Sequence, residues 1–186
     1  WGLGYGVGRG LGMGYERTTT LAFTAAGKKY TDQLEDLDKW ASDSMSAVPE
    51  QDRVLFSSHD AFGYFSNAYG VKFIGSALSD FNHQQDATSS HIDEQVKKVR
   101  ESGAKAIFAE NSNSSKSIEA IARAAGVKAV TSDDALYGDS LGVPGSEGET
   151  FIGSIVHNIN TLVSAWDSKQ QPLPESLQEF DFAKRK

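Results

Sequence analysis

Cysteine is missing from all 186 residues. Its absence excludes a disulfide framework, a thiolate zinc site, a cysteine nucleophile and a cysteine-borne lipid anchor within these residues. Positive charge is in deficit, with 18 Lys and Arg against 25 Asp and Glu and a net charge of −7. Nucleic acid is therefore not an expected partner, because phosphate backbones select basic surfaces, whereas an acidic chain suits a cation. No run of about 18 apolar residues occurs, so no membrane insertion is expected. The motifs of common enzyme classes are lacking too: there is no P-loop, no GxSxG elbow and no HExxH pair. The glycines of the first segment fall only on even positions, so they cannot supply a GxGxxG fingerprint. A hydrolase built on Ser58, His59 and Asp139 is disfavoured, since adjacent side chains leave a strand in opposite directions. No enzyme is expected.

What is present divides into four parts. Residues 1–17 open with glycine alternating with other residues as far as Tyr15, a low-complexity pattern that predicts a separate arm, since ordering so many glycines costs backbone entropy. Residues 18–48 carry Leu21, Ala25, Tyr30, Leu34, Leu37 and Met45 at helical spacing, which predicts one long helix ending near Ala47, ahead of Pro49. Residues 49–168 alternate strand-like and helix-like segments. Strands are expected at 53–57, 71–74, 106–109 and 127–130, with helices at 61–69, 89–102, 116–125 and 150–166. The last helix is expected to turn Phe151, Ile155, Ile159, Leu162 and Trp166 inward. Such alternation requires crossover connections, and so predicts an α/β lobe with a four-stranded parallel sheet sandwiched by helices and preceded by the long helix. The tail, 169–186, is polar and contains prolines; it is expected to be loose.

Chemistry in a parallel sheet gathers where loops leave the carboxyl ends of the strands. His59 lies at the end of the first strand in the segment Ser58-His59-Asp60-Ala61-Phe62-Gly63-Tyr64-Phe65, Glu110 ends the third strand, and Asp139 lies in the long loop after the fourth. The three are expected to share one crevice although 80 positions separate the first from the last. His83 and His91 fall in a polar stretch and are expected to be bystanders. His157, inside the last helix, is expected to pack or to make a local hydrogen bond.

The same segments resemble a family. His59 in His-Asp-Ala-Phe-Gly-Tyr-Phe, Ala68-Tyr69-Gly70, Ile107-Phe108-Ala109-Glu110-Asn111-Ser112, Leu136-Tyr137-Gly138-Asp139-Ser140-Leu141-Gly142, Gly145-Ser146-Glu147-Gly148 and His157-Asn158-Ile159 appear in family order. Over about 18–166 the chain resembles the carboxy-terminal lobe of the solute-binding proteins that deliver zinc or manganese to ABC transporters (the cluster A-I metal-binding lipoproteins). The resemblance implies one lobe of a helical-backbone metal receptor, with the long helix as its spine. It implies His59 and Asp139 as metal ligands and Glu110 as a candidate for the same ligand shell. The cargo would be a divalent transition metal, zinc or manganese, with no organic cofactor and an ABC transporter permease as partner. The location implied is periplasmic or extracellular, with membrane association through an amino terminus not contained here. Two further histidine ligands of the family belong to an amino-terminal lobe and have no counterpart in this sequence. The alternative is a structural or adhesive surface protein that keeps the lobe without transporting metal.

Overall fold

Apolar residues recurring every three or four positions make the first element a helix, α1 (Gly4–Ser46), which stops three residues short of Pro49. The computed structural model describes residues 4–78 and 89–182. From Gly4 on, the glycine alternation forms the first turns of α1 and not a separate arm. Adding a residue to a helix is far easier than nucleating one, so a helix seeded by its packed half runs back through poor helix formers. Its later turns are packed: Leu37, Trp40, Ala41 and Met45 are buried, whereas Ala25 and Tyr30 are exposed. At 1.5 Å per residue α1 spans roughly 65 Å.

Beyond α1 come β1 (Val54–Ser57), α2 (Gly63–Tyr69), β2 (Lys72–Ser76), α3 (Ser89–Ser102), β3 (Ala106–Phe108), α4 (Lys116–Ala125), β4 (Lys128–Val130) and α5 (Phe151–Ala165). All four strands pair in parallel, as the crossover argument requires, β1 with β2 and β3 with β4. The expected single sheet is nevertheless divided into two pairs, with β1 and β3 packed side by side. Strands of three or four residues leave little length for a further ladder. The seam is closed beyond their carboxyl ends by side chains instead: the Glu110 amide donates to Ser58 Oγ at 3.2 Å, and the His59 amide to Glu110 Oε1 at 3.0 Å.

Side chains alternate across each strand and so feed two cores. Leu55 and Phe108 join Leu37, Trp40, Met45, Ile159, Leu162 and Trp166 under α1 and α5. Val54, Phe56 and Ile107 join Val96, Val99, Ile118 and Ile121 under α3 and α4. Helices therefore cover both faces of the strand layer. Phe151, expected inward, is exposed because it occupies the first position of α5, directly after the cap at which the Gly153 amide donates to Thr150 Oγ1 at 3.0 Å.

The tail is docked where it was expected to be loose. A short 3-10 helix, Glu175–Phe180, buries Leu177 completely against the α1 and α5 core. Polar groups fix it: Gln33 donates to the Ser176 carbonyl at 2.9 Å, Ser176 Oγ to Asp36 at 2.5 Å, and Trp40 to the Gln171 carbonyl at 3.2 Å. One buried leucine with these anchors outweighs the polar composition around it. Leu177→Ala should cost about 2 kcal/mol, the low end for a leucine truncation since a terminal segment can settle into the gap. A lower urea midpoint at unchanged slope would be the sign.

Tyr69 ties α2 to α1 by donating to Asp38 at 2.9 Å and packing edge-on to Phe65. Burial, then the hydrogen bond and charge of Asp38, push the phenol up to about 12. An unfolded tyrosine gives up its proton near 10. Between these values the unfolded state holds fewer protons, so stability is intact below about pH 10 and falls as pH rises towards 12. Tyr69→Phe should flatten that alkaline decline, which urea midpoints on either side of the window will measure.

Candidate metal centre

The carboxyl ends of β1 and β3 and the loop after β4 bring His59, Glu110 and Asp139 together around one imidazole. β1 ends at Ser57, whose hydroxyl donates to the His59 carbonyl at 2.7 Å and turns the chain out of the strand. The His59 ring then stands between two carboxylates. Nδ1 lies 2.6 Å from Glu110 Oε2, and Nε2 lies 2.5 Å from Asp139 Oδ2. Asn113 Nδ2 also approaches Nδ1, at 3.2 Å.

The two carboxylates differ in setting. Glu110 is 1 % exposed. Its Oε1 accepts the His59 amide, while Oε2 faces the ring off the hydrogen-bonding direction and has no hydrogen-bond partner among the described residues. Burial pushes the Glu110 carboxyl above its ordinary range, against the opposing pull of the His59 amide and ring and of Ser57, and with help from the negative charge of Asp139. Asp139 is largely exposed and reaches Nε2 from the open side, where the imidazole itself is one-fifth exposed. A cation arriving from solvent therefore meets Nε2 and Asp139, with Glu110 behind the ring. Ligand bonds of about 2.0–2.2 Å in a tetrahedral shell set the two donor atoms roughly 3.4 Å apart. Asp139 needs to retreat by only about 1 Å to admit an ion of that kind. Among the described residues, no group of three or more His, Cys, Asp and Glu is arranged to hold a metal ion.

The loop bearing Asp139 is held on several sides. Leu136 pairs with Glu110 as an isolated parallel bridge, which extends the register of β3 and β4 into the site. Asn111 Nδ2 donates to Ser140 Oγ at 3.0 Å and to the Ser140 carbonyl at 3.3 Å. Gly138 passes so close to Glu110 that a Cβ there would lie 2.7 Å from Oε2 and 3.3 Å from Ala61 Cβ. A side chain at 138 would push the loop off the carboxylate.

Asn113 was not singled out by sequence reasoning, and Ser58 and Asn111 were given no part in the site, since Ser and Asn in a loop signal turns in general and only the fold shows which partners they reach. His91 is partly buried and its Nε2 faces the Ala77 carbonyl at 3.2 Å, so it is engaged away from the site. His83 lies outside the described residues. His157 is buried within α5 and hydrogen-bonded on both ring nitrogens.

Residues 17–165 match the family described as zinc-uptake complex component A, periplasmic (ZnuA). The manganese-binding lipoprotein MntA of Bacillus subtilis is 39 % identical over 146 residues, 77 % of this chain and 47 % of that protein. The zinc-binding protein TroA of Treponema pallidum is 33 % identical over 148 residues, 78 % of this chain and 47 % of TroA. Its solved structure superposes with a TM-score of 0.70 at 30 % identity, covering 82 % of this chain and 55 % of that one. The manganese ABC transporter substrate-binding lipoprotein PsaA of Streptococcus mitis is 26 % identical over 73 % of this chain and 42 % of its own length. The chain thus spans about half the length of the curated relatives it matches. With the parallel strands, the long first helix and the match across 17–165 in agreement, the chain belongs to the zinc-uptake complex component A family of zinc and manganese ABC solute-binding proteins.

Proposed function

We propose that this chain works as part of an extracytoplasmic solute-binding component that captures a divalent transition metal, zinc or manganese, and passes it to the permease of an ABC transporter. The observation that carries the reading is the 2.5 Å approach of His59 Nε2 to Asp139 Oδ2, two donors from loops 80 residues apart on an open edge. His59 and Asp139 are the ligands in this reading. Glu110 stands behind the imidazole, its Oε2 2.6 Å from Nδ1, where its negative charge raises the basicity of the ring that meets the metal. Imidazole suits zinc and carboxylate suits manganese, so one of each serves either ion. The names of the relatives, which bind manganese or zinc and include lipoproteins and a periplasmic protein, support the cargo and the location.

No bond in the cargo is made or broken in this function. Capture exchanges water for protein ligands, and release reverses it. Two protein donors leave half of a four-coordinate shell to water or to groups outside these residues, so the chain by itself should bind weakly. Calorimetric titration with zinc and with manganese, repeated against a moderate chelator, tests this. Weak, saturable uptake of one ion that the chelator removes is expected. No uptake at all, or tight stoichiometric uptake that resists the chelator, would overturn the assignment of this pair.

A further inference from the structure

Two consecutive residues of α5, His157 and Asn158, grip the loop that carries Asp139 without touching Asp139 itself. His157 is 5 % exposed and Asn158 1 %. His157 Nε2 faces the Ala135 carbonyl at 3.0 Å and Nδ1 faces Glu147 Oε2 at 2.9 Å, so one ring ties residues 135 and 147, on either side of Asp139. Asn158 clamps the middle: its Oδ1 accepts the Tyr137 amide at 2.9 Å, and its Nδ2 donates to the Tyr137 carbonyl at 2.8 Å. This pair of hydrogen bonds to one residue's backbone imitates a strand pairing and fixes Tyr137 to α5.

The Tyr137 ring completes the clasp. It stands edge-on to His157 with centroids 4.9 Å apart. Gly148 also closes on the ring, where any Cβ would collide with it, and the Gly142 amide donates to the Gly148 carbonyl at 2.7 Å. Residues 142–148 thus fold back over Tyr137 and leave Asp139 at the turn. A ligand carboxylate needs its donor atom placed to within about 0.5 Å.

We propose that His157 and Asn158 are positioning residues for the metal, which act through the 135–147 loop to hold Asp139 against His59. The proposal rests on the metal-capture reading given above. A buried helix pair with such complete polar pairing could serve fold stability alone, and the two roles separate through Asp139. If the clasp acts by placing Asp139, its loss matters only while Asp139 is present.

The test is a zinc titration of the full chain followed through the imidazole NMR signals of His59. His157→Leu removes both hydrogen bonds within a similar volume. Glu147→Ala removes one of them from a partly exposed position where folding is not at risk. Each substitution is made alone and again with Asp139→Ala. The expected result is about tenfold weaker zinc binding from either variant alone, the lower range for groups that orient metal ligands, and no further loss once Asp139 is gone. Glu147→Gln, which keeps an acceptor for His157, should restore most of the affinity. Equal losses with and without Asp139, or no loss in a chain whose zinc response still depends on His59, would overturn the positioning role and leave the site standing. A wild-type chain whose His59 signals ignore zinc would remove the site and the proposal together.

Discussion

Trp166→Ala is expected to lower stability by about 3–5 kcal/mol, the range for deleting a buried aromatic side chain. Trp166 has no exposed surface and ends α5 beneath the strand layer. Its ring meets Phe108 edge-on with centroids 6.3 Å apart, and its indole N–H donates to the Val54 carbonyl at 3.2 Å. One side chain therefore joins the last helix to both parallel pairs, across the seam that has no ladder of its own. Truncation opens a cavity and leaves a buried carbonyl without its donor, and the two losses add. Trp166→Phe refills most of the volume but not the hydrogen bond, so it should recover roughly half of the loss. Urea unfolding at neutral pH reads both. A Trp166→Ala chain within about 1 kcal/mol of the wild type would show that the seam is held by other contacts.

His59→Ala is expected to remove metal binding by this chain altogether. The imidazole supplies the nitrogen donor of the proposed pair, with Nε2 2.5 Å from Asp139 Oδ2 and Nδ1 2.6 Å from Glu110 Oε2. Groups that merely orient a ligand cost 10–100-fold in affinity when removed, so a ligand in a two-donor site should cost at least about a hundredfold. The substitution should leave the fold intact, since the backbone amide that donates to Glu110 Oε1 survives in alanine. Calorimetry with zinc and manganese on both chains decides it. Unchanged affinity in His59→Ala would mean that another set of donors holds the ion.

Much of the fold could be read from local pattern. The bounds of α3 and α4 match their apolar spacing, because each helix buries one stripe and leaves the rest in water. The parallel pairing followed from connection length, since regular strand–helix alternation supplies the crossovers that parallel neighbours need. The division into two pairs could not be read, because it depends on where strands of three or four residues run out of partners. Nor could the docking of the tail: Leu177 is one apolar residue in a polar stretch, and its burial exists only because α1 and α5 leave a slot for it.

For the site, the sequence by itself determined which groups could meet: His59 and Glu110 at strand ends and Asp139 in the loop after β4, since in a parallel sheet these ends face one edge. Only the tertiary structure decided how they face one another. Ring orientation puts Nδ1 on Glu110 and Nε2 on Asp139, and depth of burial separates a carboxylate at the back of the imidazole from one open to solvent. Chain order carries the direction in which a strand delivers a residue. Which nitrogen faces which oxygen, and how much water each retains, depends on packing among segments 50 to 80 residues apart, which no local pattern encodes.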